Sequence, residues 1–182
     1  MNKKNYIKNS VFIFTILFCS VLSAQKGWVT VRGLITYTSQ YCGGARPPEE
    51  LLKELATPKP YADKVIFIKK GNQNPFTNKV LYRIKTDSLG RYSVKLKTGT
   101  YFIVDELKEN KKMYDSIVHK YAVKTSATGV IDTVCYKKFY ETPDKVFKIT
   151  SKMKSLNDTL NYFKGCNWSG SPCVPFTGFY PP

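Results

Sequence analysis

The run KVLYRIKTDSLGRYSVKLKTGTYFIVDE, residues 79–106, constrains the fold of this chain more than any other stretch. Apolar and polar side chains alternate in KVLYRIKT and again in RYSVKLK, the period of a strand with one face buried. DSLG and TG separate these segments, and TYFIVDE follows the second turn. Turns at such short, regular spacing join antiparallel strands. Alternation puts Tyr92, Val94 and Leu96 on one face, and Tyr101 and Ile103 resume that face after the turn. Gly90 and Gly99 read as structural turn positions.

The rest of the chain extends this pattern. WVTVRGLITYT, residues 28–38, is a first strand in which Gly33 predicts a bulge or a close backbone approach. Gly43 and Gly44 make a loop. Pro48, Glu49 and Glu50 then open a short helix with Leu51, Leu52 and Leu55 on one face, and Thr57-Pro58 closes it. KVIFIKK, residues 64–70, reads as a central strand, followed by the turn GNQNP. Residues 107–116 read as a polar loop, and residues 117–124 as a strand. DTVCYKKFY, residues 132–140, predicts a second short helix with Asp132 as N-cap and Pro143 beyond its end. KVFKIT and SLNDTLNYF, residues 145–150 and 155–163, are expected to form a strand pair that finishes the sheet. The predicted fold is an all-β, antiparallel Greek-key β-sandwich of about seven strands, with two short helices in the connections. The tail, residues 165–182, is rich in proline, glycine and aromatics and is expected to lie across the sandwich.

The first 24 residues have the layout of a secretory signal: Lys3, Lys4 and Lys8, then the apolar run VFIFTILFCSVL, then Ser23-Ala24 before Gln25. That run is short for a membrane span, and no later stretch equals it, so the mature chain is expected to carry no transmembrane segment. The rival is a lipoprotein signal with Cys19 acylated. The bulky Phe18 in front of Cys19 argues against it. The expected organisation is a signal peptide over 1–24 and one domain over 25–182, placed in the periplasm, at the outer membrane or outside the cell. A chain of 182 residues with 42% hydrophobic content suits one such domain.

Removal of the signal leaves Cys42, Cys135, Cys166 and Cys173, an even count that predicts two disulfides in an exported chain. Their spacing lacks the close pairs of a structural zinc site and the C-x-x-C of a redox centre. No metal or cofactor is expected. Four cysteines allow three pairings. The local one, Cys166 with Cys173 and Cys42 with Cys135, is slightly preferred, and the other two stay open. An eight-residue ring over CNWSGSPC would stabilise by about 2–3 kcal/mol, a longer loop by more.

TDSLGRYSVKLKTGTYFIV, residues 86–104, resembles the T-D-x-x-G-x-Y/F-x-hydrophobic-x-L-x-x-G-x-Y run of carboxypeptidase regulatory-like domains, which are transthyretin-like (prealbumin-like) β-sandwiches. VRGLI, residues 31–35, is similar to their first strand. The resemblance spans about residues 28–106 and implies a mostly non-catalytic accessory module of exported proteins. With its cysteines the chain resembles an envelope variant of that group, to which no activity is attached. Enzymes on similar folds need more histidine than this chain has. Transthyretin-like hydroxyisourate hydrolases use several, together with a C-terminal serine tetrapeptide. Intradiol dioxygenases bind iron through two tyrosines and two histidines. Here His119 stands alone and the chain ends FYPP. A Ser-His-Asp triad would have to use His119, which lacks a nucleophile-elbow context.

A formal charge of +16 comes mostly from lysine; Arg32, Arg46, Arg83 and Arg91 are the arginines. The scattered lysines read as a solvated surface with weak attraction to anionic surfaces, and no nucleic-acid motif appears. Trp28, Trp168, Phe176, Phe179 and Tyr180 are candidates for sugar stacking, Trp28 and Trp168 foremost, against a purely packing role. Four Asp-Ser/Thr-aliphatic triplets start at Asp87, Asp115, Asp132 and Asp158 and resemble a bacterial O-glycan acceptor pattern; Asn157 and Asn167 open N-x-Ser/Thr acceptors. The sequence therefore predicts a non-catalytic exported module that binds or scaffolds in the cell envelope, with an unidentified envelope protein or glycan as partner. Carbohydrate or anionic-glycan binding is the first alternative, and an unadvertised enzyme the second.

Overall fold

The computed structural model describes residues 27–179. The signal segment with Cys19 and the terminal Tyr180 lie outside the described residues. Among those residues there are eight strands and three α-helices. The strands are β1 (Trp28–Ser39), β2 (Lys59–Pro60), β3 (Val65–Lys70), β4 (Val80–Lys85), β5 (Arg91–Lys97), β6 (Gly99–Val104), β7 (Lys145–Ile149) and β8 (Ser155–Lys164). The helices are α1 (Glu49–Ala56), α2 (Lys111–Lys120) and α3 (Thr133–Glu141), with a 3-10 turn at Glu106–Lys108.

Two four-stranded sheets form. In sheet A, β5 and β2 follow one another antiparallel along one edge of β1, and β8 runs parallel along the other, so the sandwich is not antiparallel throughout and β7 and β8, expected as a pair, stand in different sheets. Sheet B is antiparallel throughout, in the order β4-β3-β6-β7. Val29, Val31 and Ile35 of β1 and Val94 and Leu96 of β5 share one core with Ile66, Ile68, Ile103 and Ile149 of sheet B. Each such fully buried aliphatic contributes about 1.5–3 kcal/mol. Gly33 pairs in regular register with Tyr92, so there is no bulge there. The close approach is real: a Cβ on Gly33 would enter the Tyr92 ring. The bulge lies instead in the β3–β4 pair at Ile68/Lys69. It turns Val80 to the outer face of sheet B, while Tyr82 and Ile84 stay on the shared core.

That outer face is also apolar. Phe67, Phe102 and Val104 form a second buried cluster on it. Above it lies a helical cap with its own core of Tyr121, Ile131, Tyr136 and Val174. Cap and sheet are joined through Asn74, whose amide nitrogen donates to the Lys108 and Tyr140 carbonyls, both at 2.9 Å.

Several expectations are corrected. The strand count is eight, and the helices number three among the described residues. Residues 107–116, expected as a polar loop, carry most of the 3-10 turn and the first part of α2, and residues 117–124, expected as a strand, lie in and just after that helix. Asn110 caps that helix by accepting from Met113 N, and Tyr114, Ile117, Val118 and Tyr121 supply its buried stripe. The β-branched pair Ile117-Val118 imitates a strand, but the i, i+3, i+4, i+7 spacing is helical. The tail packs on the helical cap: Gly129 N donates to Pro175 O at 2.8 Å, and Asp132 N to Cys173 O at 2.9 Å. The disulfides are Cys42–Cys166 and Cys135–Cys173, with Cα atoms 5.5 and 5.8 Å apart, so the local pairing is not formed. The first ties the loop after β1 to the end of β8; the second ties α3 to the tail.

Gly90 sits at φ +72°, and a Cβ there would strike the Ile35 carbonyl oxygen that receives Tyr61 N at 2.9 Å. Gly90→Ala should cost about 2–3 kcal/mol in chemical denaturation, through left-handed strain plus the backbone clash. Opening Cys135–Cys173, which spans 38 residues, should cost about 4 kcal/mol, and opening Cys42–Cys166, which spans 124, about 5 kcal/mol. Non-reducing peptide mapping should recover these two cross-linked pairs.

Candidate functional site

The two sheets treat their outer faces differently. Sheet B hides its own under the cap. Sheet A leaves a large part of its face open, with α1 lying against β1. Alternation from the buried Val29, Val31 and Ile35 turns Trp28, Thr30, Arg32 and Leu34 of β1 outward. On β5 the outward set is Arg91, Ser93, Lys95 and Lys97, all exposed. On β8, Ser155, Asn157 and Thr159 stand beside Thr30, Arg32 and Leu34. These outward positions carry four cations and no carboxylate.

Register sets the spacing of the charges. Arg32 lies opposite Ser93, and Arg91 and Lys95 are its two diagonal neighbours on β5. Diagonal pairs of this kind stand about 7 Å apart. Among the described residues Arg32, Arg91 and Lys95 enter no ion pair. Lys97 Nζ lies 5.2 Å from the centre of the Trp28 ring, which is 53% exposed. Two concavities line the face. One, of about 480 Å³, is bounded by Arg32, Arg91, Ser93, Asn157, Thr159 and two carboxylates, Asp158 and the turn residue Asp87. The other, of about 630 Å³, is bounded by Trp28, Thr30, Lys95 and Tyr82.

The remaining polar clusters are internal and closed. Lys108 Nζ donates to Asp144 Oδ1 at 2.6 Å and to Thr142 O at 2.9 Å, and Tyr162 Oη donates to Asp144 Oδ2 at 2.9 Å. Burial, with the Asp144 and Asp105 carboxylates, pushes the Tyr162 hydroxyl far above its ordinary range, so it stays a donor. Burial likewise raises Asp105. Lys164 Nζ packs 3.5 Å from the Tyr37 ring centre and 4.1 Å from that of Tyr61, and Lys64 sits between Tyr61 and Tyr162. These groups hold the end of the sheets together. His119 is exposed in the last turn of α2, not in a strand. The described residues contain no group of three or more His, Cys, Asp or Glu placed to hold a metal, and no helix long and apolar enough to cross a membrane.

The tryptophans separate. Trp28 opens β1 on the open face, whereas Trp168 is half-buried beside Phe176, ring centres 6.1 Å apart, in the tail. Phe176 in turn bridges to Thr128 of the cap. All four cysteines are bonded; Gly90 lies in the turn before β5, whereas Gly99, expected as a turn position, opens β6 directly after it. Of the acceptor-like triplets, Asp87, Asp158 and Thr159 border the smaller concavity, and Ser116 and Thr133 lie on helices. The sequence reading missed the arginine–lysine row because it treated the cations as scattered. The signal was present: the outward half of each alternating strand, W-x-T-x-R and R-x-S-x-K-x-K, lacks any acid. No protein-family model matches the chain, and no curated protein is similar to it in sequence.

One buried cation yields a prediction. Lys69 is fully buried on the outer face of sheet B, with Nζ 2.7 Å from Asn74 Oδ1 and no carboxylate bonded to it. Burial lowers its pKa to about 8 from 10.5. Between those values the unfolded chain holds the proton and the folded one does not, so stability rises with pH across that window. Below about pH 8 this penalty is fully present. Denaturation at pH 7 and 9.5 should show a gain on the order of 2 kcal/mol in the natural protein, lost in Lys69→Met.

Proposed function

We propose that this protein is a non-catalytic exported module of the cell envelope that works by binding or scaffolding. The observation that carries this reading is the open face of sheet A, with its uncompensated cations beside an exposed tryptophan, on a scaffold stapled by two long-range disulfides. Disulfides of this kind fit an oxidising compartment, in agreement with the N-terminal signal pattern. The resemblance to carboxypeptidase regulatory-like domains belongs to the same proposal, and so does a Greek-key, transthyretin-like arrangement of the strands. The residues that carry it, 31–35 and 86–104, fall on β1, β5, β6 and the intervening turns. The turn roles of Asp87 and Gly90 support it: Asp87 Oδ1 accepts from Leu89 N and Arg91 N, and Gly90 N donates to Asp87 O. The module would stand in the periplasm, at the outer membrane or outside the cell, without a cofactor.

Intact mass of the protein recovered from its native envelope tests this reading. The expected species begins near Gln25, carries no metal and is four hydrogens lighter than its reduced form, two for each disulfide. Recovery from the cytoplasm as a full-length reduced chain, or as a metal adduct with open thiols, would overturn it.

A further inference from the structure

We infer that the outer face of sheet A is a binding surface for an acidic polysaccharide, one bearing carboxylates along its chain. This rests on the reading of the protein as an exported binding module and names the ligand class of that face.

Charge is the first argument. Arg91, Arg32 and Lys95 alternate across the β1–β5 pair as diagonal neighbours, and Lys97 continues the row. Like charges directly opposite one another destabilise a sheet, and these diagonal neighbours, about 7 Å apart, repel more weakly. Other cations of the fold do have acid partners, Lys108 in Asp144 and Lys145 in Asp158 among them. The outward positions of the three strands hold no carboxylate; Asp87 of the preceding turn and Asp158 of β8 border the same concavity, but Asp158 pairs with Lys145 and neither bonds Arg32, Arg91 or Lys95 among the described residues, which leaves the row available to an external anion. Two of the four arginines stand here. The guanidinium fork suits a carboxylate held by two parallel hydrogen bonds.

The neutral groups narrow the ligand. Between and beside the cations stand Thr30, Ser93, Ser155, Asn157 and Thr159, short side chains that exchange hydrogen bonds with hydroxyls. Trp28 offers an exposed ring at the end of the row, polarised by Lys97, against which a sugar ring can stack. The two concavities follow one another along the strands, since Thr30 and Arg32 belong to one and the other. A chain of linked sugars with periodic charge fits an elongated, polar, cationic strip. A lipid surface would call for several exposed apolar side chains among the cations, and a nucleic acid for more than one stacking ring.

The test is titration of the disulfide-bonded protein with polygalacturonate, with uncharged dextran as control, at low and at physiological salt. Binding of polygalacturonate that weakens with salt, and no binding of dextran, is expected. Arg32→Gln with Arg91→Gln should weaken it about tenfold or more, and Trp28→Ala should weaken it as well. Arg46→Gln with Arg83→Gln removes the same charge elsewhere and should change affinity by less than about twofold. Circular dichroism and thermal melting establish that each variant is folded. Equal loss in both double variants would reduce the effect to net charge and overturn the inference. So would stronger binding, at equal salt, to phosphatidylglycerol vesicles or single-stranded DNA, or no binding to polygalacturonate. Each of these leaves the export reading standing if the intact mass shows the processed, oxidised chain. A reduced cytoplasmic chain would instead remove the premise.

Discussion

Strands β3 and β6 bury side chains on both of their faces, and water has to be excluded from both. Ile66, Ile68 and Ile103 point toward sheet A; Phe67, Phe102 and Val104 point the other way, and all are at most 1% exposed. Sheet A covers one side. The other needs a separate cover, and residues 105–141 supply it as a 3-10 turn and two helices. The β-bulge at Ile68/Lys69 extends the demand to β4 by turning Val80 outward. Sheet A buries apolar residues on its inner face, while its outer face carries only scattered ones such as Trp28, Leu34 and Phe163 among polar and charged side chains, so it needs no second cover. The asymmetry of the molecule, helices over one sheet and solvent over the other, follows from which strands are apolar on both sides.

The cap is held by more than hydrophobic contact. Asn74 reaches from the β3–β4 connection to the carbonyls of Lys108 and Tyr140, and Lys69 bonds Asn74 from below. Burying an amine without a bonded carboxylate is costly, which is why its proton affinity falls. Tyr114, Tyr136 and Phe139 stack in sequence, with neighbouring ring centres 5.2 and 5.7 Å apart, joining α2 to α3. Cys135–Cys173 then fastens the tail to this layer, while Cys42–Cys166 closes the opposite end at β8. Each clasp restrains a part of the chain that is irregular, where few ladder hydrogen bonds would do so.

The open face is the complement of these constraints. Nothing in the packing of sheet A requires arginine at positions 32 and 91, because both side chains stand in solvent. Their gathering with Lys95 and Lys97, against the repulsion it entails, is the feature that packing leaves unexplained and that an anionic ligand accounts for.

The strands were legible in the sequence wherever alternation and turn chemistry coincided. DSLG with Gly90, and TG before YFIV, mark turns between strands, and VIFI reads as a central strand because its apolar run leaves no polar face. Asp132 announced α3, since its carboxylate has a local role, accepting from Val134 N and Cys135 N. Helix α2 was not legible in the same way: its β-branched residues suit either state, and the choice was made by Tyr136 and Ile131, distant in sequence, which receive its apolar stripe. Disulfide pairing was beyond the sequence too, because it depends on which ends meet, and the parallel pairing of β1 with β8 is what brings Cys42 to Cys166. The same holds for the cationic row. Strand alternation determines that Arg32 and Arg91 point outward; only register across the sheet places them side by side, and only the one-sided cap leaves them open to solvent.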